Sequence, residues 1–427
     1  MPPAPLTGSP IGRTEKHLAR WMTILIFPLM VTEHLFHYPV IILGVMGAIH
    51  WLRLSLRQKY IAKPGADMAW VLLLFACVFM PMLLSMSDAF EPEHTKKTVL
   101  SYLHFLPAAL YVCFICRDPE TRLTILNVSS LLVGLLVVDA LIQITVGVNL
   151  LGFERDSAVL TGMFDTNQRL GLVLALFLPL VLYCLQYRVS WGYWKWTLLI
   201  PYSIVILFSL KRSAWVMLAL GATAYFVIFL YRSQLGWKVK LLIPVSIVAV
   251  VMTTGYFVPS VGSTLKTTIG ALNADYETLD IATSRRLTLW RTGANIVRAH
   301  PINGIGPRGY RHAYRSFAEE GDFWIAQGSK GQTHPHLMGL EVLVETGLLG
   351  LVGLIIFMGL LLRNIFLKRE DDPAGAMWLI LGLVAWFPLN THLAFYGSYW
   401  STFAWLFLAI GAANPNPPSA RVTALTT

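Results

Sequence analysis

Two histidines stand immediately before a long apolar stretch in the last third of the chain. From His334 the sequence reads His-Pro-His-Leu-Met-Gly-Leu-Glu-Val-Leu-Val-Glu-Thr-Gly, and the segment that precedes it is polar and rich in arginine. Histidine is the side chain whose ordinary pKa suits proton transfer near neutral pH. An imidazole at the edge of an apolar run, beside a basic segment, predicts an enzyme that acts on a lipid-borne substrate at a membrane surface.

Basic residues between two other apolar runs could bind an anionic part of such a substrate. Lys211 and Arg212 separate these runs almost without a loop, and Trp215 follows closely. One interpretation is an interfacial anchor, in which long side chains extend to the lipid headgroups. Positive anchors usually mark the cytoplasmic side, whereas the topology given below places these residues outside. We therefore favour an anion-binding role for Arg212.

The polar segment 258–337 contains a predicted helix that begins at Ser284, a residue type favoured at helix N-caps. On a helical wheel one apolar stripe is formed by Leu287, Trp290, Ala294 and Val297. Arg286 borders this stripe, whereas Arg285 points to the opposite side. We expect Arg286 to lie against the protein or the lipid headgroups.

Composition and run lengths define the class of protein. The 427 residues are 56% hydrophobic and 13% charged, whereas a soluble domain carries roughly 25% charged residues. Repeated apolar runs predict an all-α polytopic membrane protein of about 12 transmembrane helices, with a single transmembrane domain over residues 1–427. The predicted spans are 19–36, 37–53, 68–86, 99–116, 122–148, 168–187, 195–210, 213–231, 240–257, 338–362, 375–390 and 396–413.

The distribution of lysine and arginine predicts the orientation. Most basic residues of the short connections fall on the side of the two termini, so both termini are expected in the cytoplasm. The large loop, 258–337, then lies outside, at the periplasmic face of a bacterial inner membrane, because long loops translocate largely regardless of charge. Topology explains most of the net charge of +10, and no basic stretch is interleaved with stacking aromatics, so nucleic acid is not an expected partner.

Several other motifs have ordinary structural interpretations. Asp165 and Asn167 could cap the helix that follows them. Glu341 and Glu345 are four residues apart, hence on one helical face near its start, where acidic groups are favoured by the helix dipole. Cys113 and Cys116 form a C-x-x-C on an apolar helix without a second ligand pair, so a metal or redox role is not favoured. His300 and His312 are predicted surface residues.

The order of these motifs resembles that of the O-antigen ligase superfamily, which includes lipopolysaccharide O-antigen ligases, O-antigen polymerases and protein O-oligosaccharyltransferases. The resemblance covers roughly residues 150–360. It rests on Gly162 to Asn167, Lys211 to Trp215, Arg286 to Trp290, His300 to Gly306, and His336 nine residues before Glu345-Thr346-Gly347. Lys211 replaces the usual serine, and Leu337 replaces the asparagine that follows the histidine.

The resemblance implies a glycosyltransferase C-like fold and transfer of a glycan from undecaprenyl pyrophosphate to a sugar hydroxyl of lipid A–core. It implies His336 as general base and Arg212 and Arg286 on the pyrophosphate. The residues expected to bind substrate are Arg155, Asn167, Arg169, Arg285 and His334. Direct displacement would invert the anomeric centre, and without an outward Asp-x-Asp pair we expect neither a metal nor another cofactor. Partners are the lipid-linked O-antigen donor, the lipid A–core acceptor and membrane lipids.

Two other functions remain open at this point. An O-antigen polymerase shares the carrier and the chemistry but transfers onto another lipid-linked glycan. A transporter would place charges near the middle of the membrane on broken helices in two related halves. Here the polar residues gather at one face and no repeat is visible, so a ligase is favoured over a transporter.

Overall fold

The computed structural model describes residues 12–57, 65–155, 159–230, 276–326, 330–391 and 393–415, with a few isolated positions between 236 and 328. Within these ranges the chain is helical and forms no β-sheet. In chain order the helices are α1 (Arg13–Leu29), α2 (His37–Arg57), α3 (Ala66–Leu84), α4 (Pro92–Tyr102), α5 (Phe105–Ile115), α6 (Pro119–Val146), α7 (Leu170–Tyr187), α8 (Leu199–Phe208), α9 (Arg212–Tyr225), α10 (Tyr276–Ala282), α11 (Arg286–Ala299), α12 (Tyr310–Phe317), α13 (Phe323–Ala326), α14 (Met338–Asp371), α15 (Pro373–Ala385) and α16 (Ser398–Ala412).

Seven helices in the described ranges are long and apolar enough to cross a membrane, by length and composition. They lie at His37–Leu56, Ala66–Asp88, Pro92–Ile115, Pro119–Val146, Leu170–Tyr187, Arg212–Phe229 and Met338–Asp371. The protein is therefore a multi-pass, all-helical membrane protein, as the sequence predicts. The count of twelve, the single-domain boundaries and the side on which the large loop lies stay predictions, and the predicted span 240–257 falls outside the described residues.

Helix α15 forms the centre of the bundle. It packs against α7, α9, α14 and α16, and nearly all of its side chains are buried. A helix that is apolar all round belongs in such an interior position. Four tryptophans fill the space around it, namely Trp378, Trp386, Trp400 and Trp405. Helices α2, α3 and α5 pack on the far side of α14 and α16.

The short helices α10 to α13 cover one end of α14 and have a small core of their own. The buried residues of this core are Leu289, Ile296, Ile305, Tyr310, Ala313, Tyr314 and Val344. The predicted apolar stripe of α11 is therefore wrong by a fraction of a turn: Leu289, Thr292, Gly293 and Ile296 are buried, whereas the four predicted residues are half-buried. The wheel misplaced the face because α11 packs against both α12 and α14.

Helix α14 is interrupted at Gly347, whose backbone has φ 63° and ψ −160°. The interruption leaves carbonyls without partners inside the helix, and the turn before α12 supplies donors for them. Ile305 N–H donates to the Val344 carbonyl at 3.1 Å, and Gly306 N–H donates to the Glu345 carbonyl at 2.9 Å. The glycine-rich turn thereby fixes the outer layer onto α14 at its kink.

We expect Gly347→Ala to lower the thermal stability of the full-length protein in detergent. Its backbone conformation is essentially restricted to glycine, and a methyl group there would overlap the Ile302 carbonyl, so the cost is about 1–3 kcal/mol or more. Gly359→Ala is the matched control, because the same helix has open space there and alanine favours helix. Equal unfolding midpoints for the two variants would contradict this account of the kink.

Candidate active site

The two histidines lie side by side on a short turn that leads into α14. Their ring centroids are 3.9 Å apart, with the ring planes inclined by 48°. His334 is buried, and its Nδ1 lies 2.9 Å from the Thr333 hydroxyl, whereas His336 is half-buried. His336 has φ 52°, in the left-handed region that histidine tolerates better than most residues do. The geometry leaves His336 the more accessible of the two imidazoles.

This turn is held from two directions. The Trp290 indole N–H of α11 donates to the Pro335 carbonyl at 3.0 Å. Just beyond the turn, Met338 N–H donates to the Asn390 carbonyl at 3.0 Å, and Gly339 N–H donates to the Pro388 carbonyl at 2.8 Å. The imidazoles are therefore fixed between α11 and the connection from α15 to α16, which suits a catalytic group that must keep one position.

Three basic residues, which we call the cationic cluster, come together beside α11: Lys211, Arg212 and Arg286. Burial and the charge of Arg212 lower the pKa of Arg286. Burial and the charge of Arg286 lower the pKa of Lys211. No acidic side chain in the described part of the chain forms an ion pair with any of the three. Partly buried positive charge that is not neutralised from within the protein predicts an anionic ligand.

Hydrogen bonds fix two members of the cationic cluster. The Arg212 guanidinium donates to the Ala282 carbonyl and, at 3.0 Å, to the Ser284 hydroxyl. Lys211 Nζ donates to Gln168 Oε1 at 2.6 Å. Ser284 was predicted to be the N-cap of α11, and this is wrong: the helix begins at Arg286, and Ser284 instead accepts from Arg212. The long-range bond to the arginine takes the place of the local cap.

The cationic cluster and the histidine turn are neighbours. Arg286 and Trp290 are four residues apart on α11, so they share one face and are separated by about 6 Å along the axis. Because the Trp290 indole donates to Pro335, the histidine turn contacts the same face of α11 that carries Arg286. The structure thus brings residues 286, 334 and 336 to α11, with residue 212 beside residue 286.

The other predicted substrate-binding residues make different contacts. The Arg155 guanidinium lies over the Phe208 ring at 5.5 Å, and that of Arg169 lies over the Tyr399 ring at 4.2 Å. Asn167 is half-buried at the end of a short 3₁₀ segment. Arg285 points away from the cationic cluster, toward Asp280 at 3.6 Å. Residues 167–169 approach the cluster through Gln168, which accepts from Lys211.

Comparison with known proteins bears on this arrangement. The family model described as O-antigen ligase matches residues 196–355, a range that contains the cationic cluster and the histidine turn. Over this range, which is less than half of the chain, the protein is similar to the O-antigen ligase family. None of the curated proteins matches the chain. This similarity, together with the apolar helices, supports a membrane glycan transferase of the ligase or polymerase type, which acts on lipid-linked glycans.

Two residues of the candidate site were not predicted from the sequence. Lys211 was noticed as a departure from the superfamily pattern, but not as a binding residue, and its position beside Arg212 was the available signal. Gln168 gave no signal, because its partner Lys211 is 43 residues away. Both lie where the segment before α7 meets the start of α9.

Two buried glutamates of α14 hold neighbouring segments of the candidate site in place. The Glu345 carboxylate accepts from the backbone N–H groups of Arg308 at 2.6 Å and Tyr310 at 3.4 Å, where α12 begins. The Glu341 carboxylate accepts from Phe395 N–H at 2.9 Å. Each carboxylate holds a connecting segment onto α14. Among the residues that the structure describes, no three His, Cys, Asp or Glu side chains form a group that could hold a metal ion.

We expect binding of the lipid-linked donor to weaken as the pH rises. The loss should begin at a lower pH than that at which an exposed lysine loses its charge. Burial and the charge of Arg286 lower the pKa of Lys211, so its positive charge is lost at a lower pH, and attraction for an anionic ligand falls with it. Lys211→Arg should move this loss to higher pH, because a guanidinium stays protonated. The measurement is the KM for the lipid-linked donor across the alkaline range.

Lys195→Arg is the matched control for this experiment. Lys195 donates to the carbonyls of Gln186 and Val189, both at 3.3 Å, away from the cationic cluster. Its variant should follow the wild-type pH profile. If Lys211→Arg also follows that profile, Lys211 does not supply the charge that titrates.

Proposed function

We propose that the protein is an O-antigen ligase, which transfers a glycan from undecaprenyl pyrophosphate to a sugar hydroxyl of lipid A–core at the periplasmic face of the inner membrane. The observation that carries this proposal is that the cationic cluster and the turn with the two imidazoles both contact α11, through Arg286 and Trp290 on one of its faces. The cluster suits a diphosphate, and an imidazole suits a hydroxyl that must lose a proton.

The cationic cluster would act on the leaving group. As the bond between the anomeric carbon and the phosphate oxygen breaks, negative charge gathers on the undecaprenyl pyrophosphate. Arg212 and Arg286 can donate through the fixed fork of the guanidinium, which matches phosphate geometry. Because these donors are positioned before the reaction and partly shielded from water, they would stabilise the transition state more than the ground state.

His336 would act on the nucleophile. The acceptor oxygen forms a bond to the anomeric carbon, its proton passes to a ring nitrogen of His336, and the carrier diphosphate departs from the opposite side. Such a direct displacement inverts the anomeric centre. His334, whose ring packs against that of His336, would hold the base in position, and Arg155, Asn167, Arg169 and Arg285 would contact phosphate or glycan.

Reconstitution tests this function. The purified full-length protein, the carrier-linked glycan and lipid A–core are combined, and the product is examined for glycan attached to lipid A–core. A deletion strain gives the complementary result: rough lipopolysaccharide with carrier-linked polymer accumulating is expected of a ligase. Lipopolysaccharide capped by single repeats would instead identify a polymerase, and accumulation of the donor on the cytoplasmic side would identify a transporter.

We further propose that transfer requires no metal ion. The cationic cluster can provide the charge that a divalent cation supplies in other phosphate sites. Protein stripped with EDTA should therefore keep its wild-type rate of transfer in reconstituted membranes. A loss of activity that Mg²⁺ or Mn²⁺ restores would overturn this part of the mechanism and leave the assignment of the substrates intact.

A further inference from the structure

A cavity lies beside α11, on the face that carries Thr288 and Thr292. It has a volume of about 270 Å³ and is bounded by α10, α11 and residues 319–323. This is close to the lower end of the roughly 300–1,000 Å³ typical of small-molecule pockets, so one or two sugar rings are a suitable occupant. We call it the acidic pocket because five acidic and two basic side chains line it.

The chain reversal before α11 connects the acidic pocket with the cationic cluster. Ser284 and Arg285 both have left-handed backbones, with φ 61° and 59°. As a result Arg285 and Arg286 point in opposite directions. Arg286 joins the cationic cluster, whereas the Arg285 guanidinium lies over the Phe323 ring at 4.7 Å, inside the acidic pocket. The cationic cluster and the acidic pocket are thus joined by two consecutive residues of the chain, Arg286 in the cluster and Arg285 in the pocket.

Some of the polar groups in the acidic pocket form hydrogen bonds or ion pairs with other residues of the protein. Asp280 accepts from the Thr288 backbone N–H at 3.1 Å and hydroxyl at 2.6 Å. Asp322 accepts from the Tyr314 hydroxyl at 2.8 Å. Glu319 pairs with Arg291 at 2.7 Å. These contacts keep the walls in place and leave other carboxylates of the acidic pocket for a ligand.

The remaining groups match the surface of a sugar. Glu277 and Glu320 form no ion pair within the described residues, and both are exposed at the cavity. Carboxylates accept hydrogen bonds from hydroxyl and amino groups. The rings of Tyr276 and Phe323 line the same cavity, and a guanidinium lies over one face of each, that of Arg291 at 5.7 Å from Tyr276 and that of Arg285 at 4.7 Å from Phe323. The partly negative face of an aromatic ring favours the weakly positive C–H groups of a sugar ring, so the opposite ring faces would be the ones to contact a sugar.

We propose that the acidic pocket binds a sugar unit that is uncharged or carries an amino group, as part of the glycan that is transferred or of the glycan that accepts it. This inference rests on the proposed function. The charge balance of the pocket is opposite to that of the cationic cluster, so the pocket would repel a second phosphate or an acidic sugar. The cationic cluster would therefore bind the diphosphate of a substrate, and the acidic pocket would bind one of its sugars.

The test is direct binding of free oligosaccharides to the full-length protein in nanodiscs, measured by calorimetry. One probe is the glycan released from the carrier by mild acid, and the other is the dephosphorylated core oligosaccharide. We expect one of these oligosaccharides to bind the wild-type protein. It should bind the variants Tyr276→Ala and Glu320→Gln about tenfold more weakly than wild type, because each change removes one sugar contact. Exposed positions elsewhere, Tyr193→Ala and Glu370→Gln, provide the matched controls.

The outcomes separate this inference from the proposed function. Binding of the released glycan assigns the acidic pocket to the donor, and binding of the core oligosaccharide assigns it to the acceptor. If wild type and both pocket variants bind each probe equally, or if none binds, the pocket is not a sugar site even where transfer proceeds. If the pocket binds a probe while no transfer is found with either acceptor, the proposed function fails and the pocket assignment stands.

Discussion

His336→Ala is expected to lower glycan transfer by about 10²–10⁴-fold, while the protein still inserts and still binds the lipid-linked donor. Without the imidazole, only water can accept the proton of the acceptor hydroxyl. A hydroxyl that keeps its proton is a weak nucleophile. In the proposed mechanism the cationic cluster binds the donor, and this change leaves the cluster in place. The measurement is the single-turnover rate with saturating donor, together with the donor dissociation constant.

Two further histidine variants sharpen the result. His34→Ala is the control, because that side chain is 79% exposed and distant in sequence from the site, and it should match wild type. His334→Ala should reduce the rate less than His336→Ala does, since His334 packs against the base and is itself buried. Full activity in His336→Ala would refute its role, and a greater loss in His334→Ala would transfer the role to that residue.

Arg286→Ala is expected to lower the rate of transfer by about 10²–10³-fold, the usual loss when one preorganised donor to a developing negative charge is removed. The rate of transfer by Arg286→Lys should lie between that of Arg286→Ala and that of wild type, because an ammonium keeps the positive charge but cannot donate two parallel hydrogen bonds as a guanidinium does. Arg286 suits this test better than Arg212 does, since the Arg212 guanidinium also holds Ala282 and Ser284.

The matched control is Arg298→Ala on the same helix. Arg298 is exposed, and its guanidinium donates to the Asn295 side chain at 2.8 Å. Its removal should change neither the rate nor the affinity for donor. If Arg286→Ala and Arg298→Ala have the same rate, the positive charge at the start of α11 does not act on the leaving group, and the cationic cluster has another purpose.

Much of the fold follows from local properties of the chain. The apolar runs predicted at 37–53, 68–86, 122–148, 168–187 and 338–362 each coincide with an apolar helix of the structure, at His37–Arg57, Ala66–Leu84, Pro119–Val146, Leu170–Tyr187 and Met338–Asp371. Run length and hydropathy suffice here because a chain in lipid must satisfy its backbone hydrogen bonds within each helix. The residue types of the site were predictable for a similar reason: guanidinium and imidazole groups are conspicuous beside apolar runs.

Tertiary structure decided how those groups are arranged. The contact between Lys211 and Gln168, the bonds from Arg212 to residues 282 and 284, and the kink at Gly347 all join segments that are distant in sequence. The helical wheel predicts opposite directions for Arg285 and Arg286, but in the structure Arg285 precedes the helix, and two left-handed residues before α11 set its direction. The sequence by itself determined the membrane class, the helices and the chemical groups, since these depend on local hydropathy and residue type. Which groups meet, and which face of α11 is buried, depended on packing between distant segments, and local patterns carry no information about that packing.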